Sequence, residues 1–108
     1  MSTRQRTVDH HDYLMKVLAK PVEATAYLNS VAEDGDIHYL LKALRNVVEA
    51  QGGFTKLARK ARMSRTSLYK ALSEHGNPEI STLETILKVY GIRIGFFPKE
   101  KHEQRRAA

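Results

Sequence analysis

The chain contains no cysteine, so it can form neither a disulfide nor a metal site built on thiolates. No apolar run approaches the roughly 18 residues that a membrane-spanning helix needs. The N-terminal stretch MSTRQRTVDHHDY lacks the apolar core of a signal peptide. Together these absences fit a reducing compartment, and we expect a cytoplasmic protein without membrane association.

Motifs that carry chemistry are also scarce. The sequence has no phosphate-binding glycine loop and no nucleophile elbow, so we expect neither enzymatic activity nor a cofactor. His10 and His11 cannot easily face one ion from a helix and have no third ligand nearby, so we expect no metal site. Asp34 and Asp36 flank Gly35 and could pair for acid–base work, but helix capping is the favoured interpretation.

The positive charge is concentrated in one segment of this 108-residue chain, whose length favours a single domain. Residues 53–75 carry one acidic side chain and six basic ones, for a net +5 out of the total +6. Residues 1–52 have a net charge of −1, residues 76–98 balance, and the polar tail 99–108 adds +2. This distribution favours nucleic-acid binding at residues 53–75 over an ordinary solvated face.

Apolar spacing indicates a mainly α-helical chain. Residues 1–11 are polar and we expect them to be disordered. Pro21 suits the first turn of a helix, and Ser81 and Glu84 form a predicted capping box. Helices are predicted over residues 12–18, 21–34, 37–51, 54–61, 65–74 and 82–90, with 12–98 as one domain.

The period changes in the segment Ile92–Phe97, IRIGFF, which alternates as a β-strand does. A lone strand cannot satisfy its backbone groups, so it requires a partner. That partner could be a short N-terminal strand, the same strand of a second subunit, or another protein. We expect a dimer or partner interface at Ile92, Ile94, Phe96 and Phe97. For Phe96 and Phe97, packing against the N-terminal helices is an equal alternative.

The segment Phe54–Ser73, FTKLARKARMSRTSLYKALS, reads as two short helices joined by a tight turn. Small residues, Ala58 and Ala61, stand where the helices would cross, and Met63 and Leu68 supply apolar contacts inside the turn. This pattern indicates a helix-turn-helix whose second helix enters the DNA major groove. A plain helical hairpin with a solvated basic face is the alternative.

The outer side of the second helix has side chains that suit base edges. Arg65 can bind guanine through two hydrogen bonds, and Thr66 offers a hydroxyl and a methyl group to thymine. Tyr69 and Lys70 can reach a base or a phosphate, whereas the first helix supplies phosphate contacts. The predicted DNA-binding residues are Lys56, Arg59, Lys60, Arg62, Ser64, Arg65, Thr66, Ser67, Tyr69, Lys70 and Ser73.

Residues 53–92 resemble the Cro/repressor type of helix-turn-helix, and more narrowly the HigA-like antidote proteins of addiction modules. The stretch SRTSLYKALSEHGNP carries the most specific part of a resemblance that covers about residues 21–97. It implies a five-helix DNA-binding domain, here with an extra N-terminal helix and one C-terminal β-strand. It also implies a homodimer on an inverted-repeat operator, repression of its own operon, and neutralisation of a toxin, commonly a RelE-like ribonuclease.

One position departs from the family pattern. Arg62 stands where the family usually has glycine, and a left-handed backbone costs an arginine about 1 kcal/mol. A phosphate contact from Arg62 could compensate. Two other functions stay open: a phage-type transcriptional regulator without a toxin, and a toxin-binding module with a purely structural helix-turn-helix. In the latter, Ile92–Phe97 and the helix Ile37–Ala50 would bind the toxin.

Overall fold

A computed structural model describes the backbone of residues 3–99 and the side chains of residues 9–99. This part of the chain is mainly helical and forms six α-helices, without any β-strand. None of the six is long and apolar enough to cross a bilayer. The helices are α1 (Thr3–Leu18), α2 (Pro21–Glu33), α3 (Ile37–Ala50), α4 (Gly53–Ala61), α5 (Arg65–Ala71) and α6 (Ile80–Val89).

Helix α3 is the centre of the fold. It packs against α1, α2 and α4, and α4 in turn packs against α5 and α6. Asp36 caps α3, since its Oδ1 accepts a hydrogen bond of 2.9 Å from the backbone N–H of His38. The capping interpretation of Asp36 is therefore confirmed, and the regular apolar stripe that follows it becomes the most buried helix face.

One hydrophobic core runs through all six helices. Because the buried residues of α4, α5 and α6 belong to the same cluster as those of α3, the basic segment is not a separate unit. No charged or polar residue is fully buried among the described residues. The core consists of Leu18, Ala24, Leu28, Leu41, Ala43, Leu44, Val47, Val48, Leu57, Leu68, Leu72 and Ile86.

Polar side chains of α3 and of the residue after it close the ends of other helices. Gln51 Nε2 donates to the carbonyl oxygens of Leu18 and Ala19, at 3.0 and 3.3 Å. Arg45 Nη1 donates to the carbonyl oxygen of Leu72, just after α5. The last carbonyls of a helix lack partners within it, so these two side chains fix where α1 and α5 end.

Several helix boundaries differ from those that the sequence predicts. Helix α1 begins at Thr3, so residues 3–11 are helical where we expect disorder. The predicted capping box is wrong, because α6 begins at Ile80 after Glu79, and no side chain caps it. Ser81 lies inside the first turn, where its carbonyl accepts the Thr85 hydroxyl at 2.9 Å. Helix α5 ends earlier than predicted, and residues 100–108 of the basic tail lie outside the described residues.

The expected fold class is wrong in two respects: its five-helix count and its C-terminal strand. The strand is absent because Ile92 is used to end α6. Gly91 adopts φ +74°, and its N–H donates to the carbonyl of Lys88, while the N–H of Ile92 donates to the carbonyl of Leu87, both at 3.0 Å. These two bonds form a Schellman motif. Residues 93–99 then find no strand to pair with among residues 3–99.

Candidate nucleic-acid interface

Helices α4 and α5 are the pair predicted to form a helix-turn-helix, and they are joined by Arg62, Met63 and Ser64. Leu57 of α4 and Leu68 of α5 are fully buried, and the small residues of α4 are half-buried between the helices. The apolar side chains of α4 and α5 that the sequence predicts to lie inside are therefore buried or half-buried. The core contacts leave the remaining side chains of α5 free to face outward.

The turn contains one residue with a left-handed backbone. Arg62 has φ +57° and ψ +45°, and it is the one non-glycine residue with positive φ among residues 3–99. The N–H groups of Arg62 and Met63 both point to the carbonyl of Ala58, the latter at 3.1 Å. This bend ends α4 and returns the half-buried Met63 to the core.

Two of the predicted DNA-binding residues are engaged in capping α5. Ser64 Oγ accepts a hydrogen bond of 3.0 Å from the backbone N–H of Ser67. The hydroxyl of Ser64 also donates to the hydroxyl of Ser67 at 2.8 Å. Ser64 is thus the N-cap of α5. A hydroxyl used in this way caps the start of α5, and a phosphate contact would have to share it.

The predicted base-reading residues lie on one exposed face of α5. Arg65, Thr66, Tyr69 and Lys70 are all exposed, and they project from the first two turns of the helix. Ser73 differs, because it is half-buried and its hydroxyl donates to the carbonyl of Lys70 at 2.9 Å. The outward face of α5 is therefore formed by the other four side chains.

An aromatic stack that the sequence does not predict ties this face to α4. The rings of Phe54 and Tyr69 lie 4.2 Å apart between centroids and are inclined by 14°. The guanidinium carbon of Arg65 lies 5.6 Å from the Tyr69 ring centroid, and Arg65 Nη2 donates to Tyr69 Oη at 3.4 Å. Phe54 itself is half-buried against the core. Periodicity along one helix cannot show that residues on two different helices are in contact. The signal in the sequence for this stack is the presence of one aromatic residue on each helix.

Some basic side chains of α4 and its turn lie on a different surface from the exposed face of α5. Lys60 and Arg62 line an open groove of about 320 Å³ between α4 and α6, together with Thr85 and Lys88 of α6. The charge distribution along the sequence does not point to Lys88, because residues 76–98 have no net charge. The four cations that α4 and its turn contribute (Lys56, Arg59, Lys60 and Arg62) are all exposed.

The chain packs closely against the C-terminal end of α5. A methyl group added at Gly76 would lie 2.3 Å from the carbonyl oxygen of Ala71, so the chain can return against α5 only with glycine there. Across from it, the Nδ1 atom of His38 lies 2.9 Å from the carbonyl oxygen of Glu74. Helix α5 therefore has fixed contacts at both ends.

The predicted interface residues near the C-terminus have different environments. Ile92 is half-buried against the core, and Ile94 is 38% exposed. Phe96 and Phe97 are 94% and 84% exposed. Such exposure argues against packing on the N-terminal helices, the alternative that the sequence left open. Two adjacent exposed phenylalanines form an apolar surface of the kind that mediates association.

A family model described as a probable addiction module antidote protein matches residues 7–98. An uncharacterized protein of Haemophilus influenzae Rd is 34% identical over 76 residues, which is 70% of this chain and 77% of that protein. No solved structure matches the chain significantly.

Proposed function

The chain belongs to the family of probable addiction module antidote proteins, and we propose that it is the antitoxin of a type II toxin–antitoxin module. In this role it represses its own operon by binding operator DNA. The observation that carries the DNA-binding part is the exposed basic face of α5, which a buried leucine and a capped turn hold outward. A non-enzymatic regulatory role agrees with the family.

The chemistry of this face suits the major groove. The fork of N–H groups on Arg65 matches the two acceptors of guanine, and Thr66 suits the methyl group of thymine. Lys70 lies one turn beyond Thr66 and can reach a further base or a phosphate. These three residues are the proposed base readers, with Tyr69 beside them.

The phosphate contacts come from the rest of the basic segment in this proposal. Lys56 and Arg59 are exposed on α4, and Arg62 is exposed at the turn. Contacts of this type fix the position of a protein on the duplex without reading its sequence. They also make the affinity depend steeply on salt, since each phosphate contact releases bound counterions.

A single reading helix covers little DNA, so we propose that the protein binds an inverted repeat as a homodimer. Half-sites one helical turn apart require the two reading helices to be about 34 Å apart. The exposed Phe96 and Phe97 are the proposed association surface, for the second subunit or for the toxin, for which we propose a RelE-like protein. Family membership favours this antidote role over a phage-type regulator without a toxin.

DNA binding is tested by fluorescence anisotropy on DNA from upstream of the gene, with a scrambled duplex of equal composition. We expect a specific complex whose log affinity falls linearly with log salt concentration. Arg65→Gln is expected to lose about 1–3 kcal/mol on the operator alone, whereas Lys56→Gln weakens both duplexes alike. Lys16→Gln on α1 removes one exposed cation far along the chain from the helix-turn-helix and is the matched control. Equal affinity of the wild type for both duplexes would refute the proposal.

The antidote role is tested separately with the neighbouring gene product. Co-expression of this chain is expected to restore growth that the neighbouring gene arrests, and the two proteins are expected to co-purify. Phe96→Ser with Phe97→Ser is expected to abolish either toxin binding or dimerisation, which sedimentation velocity distinguishes. Normal growth arrest in the presence of this chain would exclude the antidote role and leave the phage-type regulator.

A further inference from the structure

We propose that Phe54 is a positioning residue for sequence readout: it holds Tyr69, and through Tyr69 it holds Arg65 ready to bind a guanine of the operator. This inference rests on the proposed DNA-binding function. It concerns a residue that has no polar group of its own and that contributes through another side chain. Three observations support it: the stack, the contact with Arg65, and the difference in burial along the stack.

The stack joins an anchored side chain to an exposed one. Phe54 lies in the first turn of α4, where the fully buried Leu57 follows three residues later, and Phe54 itself is half-buried against the core. Tyr69 is 48% exposed on the short helix α5. A tyrosine as exposed as this one changes rotamer freely unless a neighbour restrains it. The nearly parallel ring of Phe54, 4.2 Å away, supplies that restraint.

Tyr69 in turn restrains Arg65 on the same helix. The two residues are four apart and therefore neighbours on one helix face. The guanidinium carbon lies 5.6 Å from the ring centroid, within the range of a cation–π contact, and Nη2 is 3.4 Å from the hydroxyl oxygen. Arginine has many rotamers, so restricting it before DNA binds lowers the entropic cost of the bound geometry.

Guanine is the base that gains most from a pre-ordered arginine. Its O6 and N7 accept two parallel hydrogen bonds in the major groove, and the planar fork of a guanidinium matches them when it is correctly oriented. A phosphate contact tolerates a mobile arginine, since it fixes no base identity. Loss of the stack is therefore expected to reduce discrimination between sequences and to leave the sequence-independent part of the affinity unchanged.

The primary test is Phe54→Leu, with affinities measured on the operator and on the scrambled duplex. We expect the specificity ratio to fall about three- to tenfold, the loss typical of one aromatic or cation–π contact, with an unchanged salt slope. Phe54→Tyr keeps the stacking ring and should restore the ratio. Leu83→Ala, which removes a half-buried side chain of α6, is the control for loss of stability and should leave the ratio unchanged.

A double-mutant cycle separates positioning from a merely structural role. With Arg65→Gln already present, Phe54→Leu should cause no further loss of specificity, because both act on one contact. Replacing operator guanines with 7-deazaguanine, which lacks the N7 acceptor, should likewise weaken the wild type more than Phe54→Leu. If Phe54→Leu does not fold, Phe54→Ile removes the same ring and enters the same cycle.

Two results would overturn the inference while leaving the proposed function intact. The first is a wild type that discriminates between the duplexes together with a Phe54→Leu variant that discriminates equally well. The second is a loss that adds fully to that of Arg65→Gln, because additivity means that the two side chains act independently. A wild type that does not discriminate at all refutes the proposed function and this inference together.

Discussion

Replacing Arg62 by glycine tests how the turn between α4 and α5 is built. Arg62 holds φ +57°, a backbone region that an L-residue enters at a cost of about 1–2 kcal/mol. The same fold contains a glycine version of this helix ending at Gly91, with φ +74°. Both residues let the next N–H return to a carbonyl five residues earlier. The fold thus has the same left-handed helix ending twice, once with arginine and once with glycine.

The expected magnitude follows from three opposing contributions. Arg62→Gly relieves about 1–2 kcal/mol of backbone strain, but glycine increases the entropy of the unfolded chain by about 0.4–1 kcal/mol. The lost positive charge at the end of α4 removes at least about 0.3 kcal/mol of favourable interaction with the helix dipole. We therefore expect a net stabilisation of about 0.5 kcal/mol, or an increase in Tm of about 2–4 °C.

Arg62→Ala is the matched control, because it removes the same charge and keeps the strained backbone. In urea unfolding, the free energy of unfolding of Arg62→Gly should be about 1 kcal/mol higher than that of Arg62→Ala. Gly91→Ala calibrates the cost of the left-handed conformation in the same molecule, since an added methyl at Gly91 would meet nothing within 4 Å. It should lose about 1 kcal/mol.

The two variants of Arg62 should behave alike on DNA although they differ in stability. If Arg62 contacts a phosphate, both lower the steepness of the salt dependence by about one counterion. Equal free energies of unfolding for the glycine and alanine variants would refute the strain argument. A salt slope equal to that of the wild type in both would show that Arg62 makes no phosphate contact, and the groove toward α6 would then be its whole environment.

Two further predictions concern the contacts around this pair of helices. Gly76→Ala should destabilise the fold by about 1–3 kcal/mol in urea unfolding, because the new methyl would lie 2.3 Å from the carbonyl oxygen of Ala71, whereas Gly95→Ala, with neighbours no closer than 3.5 Å, should be nearly neutral. Burial raises the pKa of Tyr90 to about 12, above the value near 10 of an unfolded chain, so its stability contribution is fully present below pH 10 and is lost as the pH rises toward 12. Tyr90→Phe should show a smaller fall in Tm over that range, and an unchanged fall would exclude Tyr90 as its cause.

The sequence predicts best those elements whose signals are local. Asp36 and the apolar stripe after it define α3 because a cap and a 3.6-residue period both act within one helix. Ser64 defines the start of α5 for the same reason. The start of α1 is missed because residues 3–11 contain few apolar residues, and periodicity cannot reveal a helix without an apolar face.

The failures involve alternatives that look alike within one segment. Alternation in Ile92–Phe97 is compatible with a strand, but a strand also requires a partner, and the sequence contains no information about where one would lie. The four-residue pattern of Ser81 and Glu84 fits a capping box, yet it falls inside a helix that begins at Ile80. In each case the local pattern is present in the sequence, but the residues adopt a conformation other than the one it predicts.

The position of α5 depends on the rest of the fold. Helix α5 has only seven residues, too few to be stable alone, since isolated helices below about 12 residues are marginal in water. Its position therefore depends on the burial of its own Leu68 in the core and on contacts from outside it: the cap at Ser64 and, at its far end, Arg45, His38 and the close approach of Gly76. Two of these residues belong to α3, outside the helix-turn-helix. A motif of 20 residues can thus suggest a function, whereas the position of α5 depends on residues spread from His38 to Gly76.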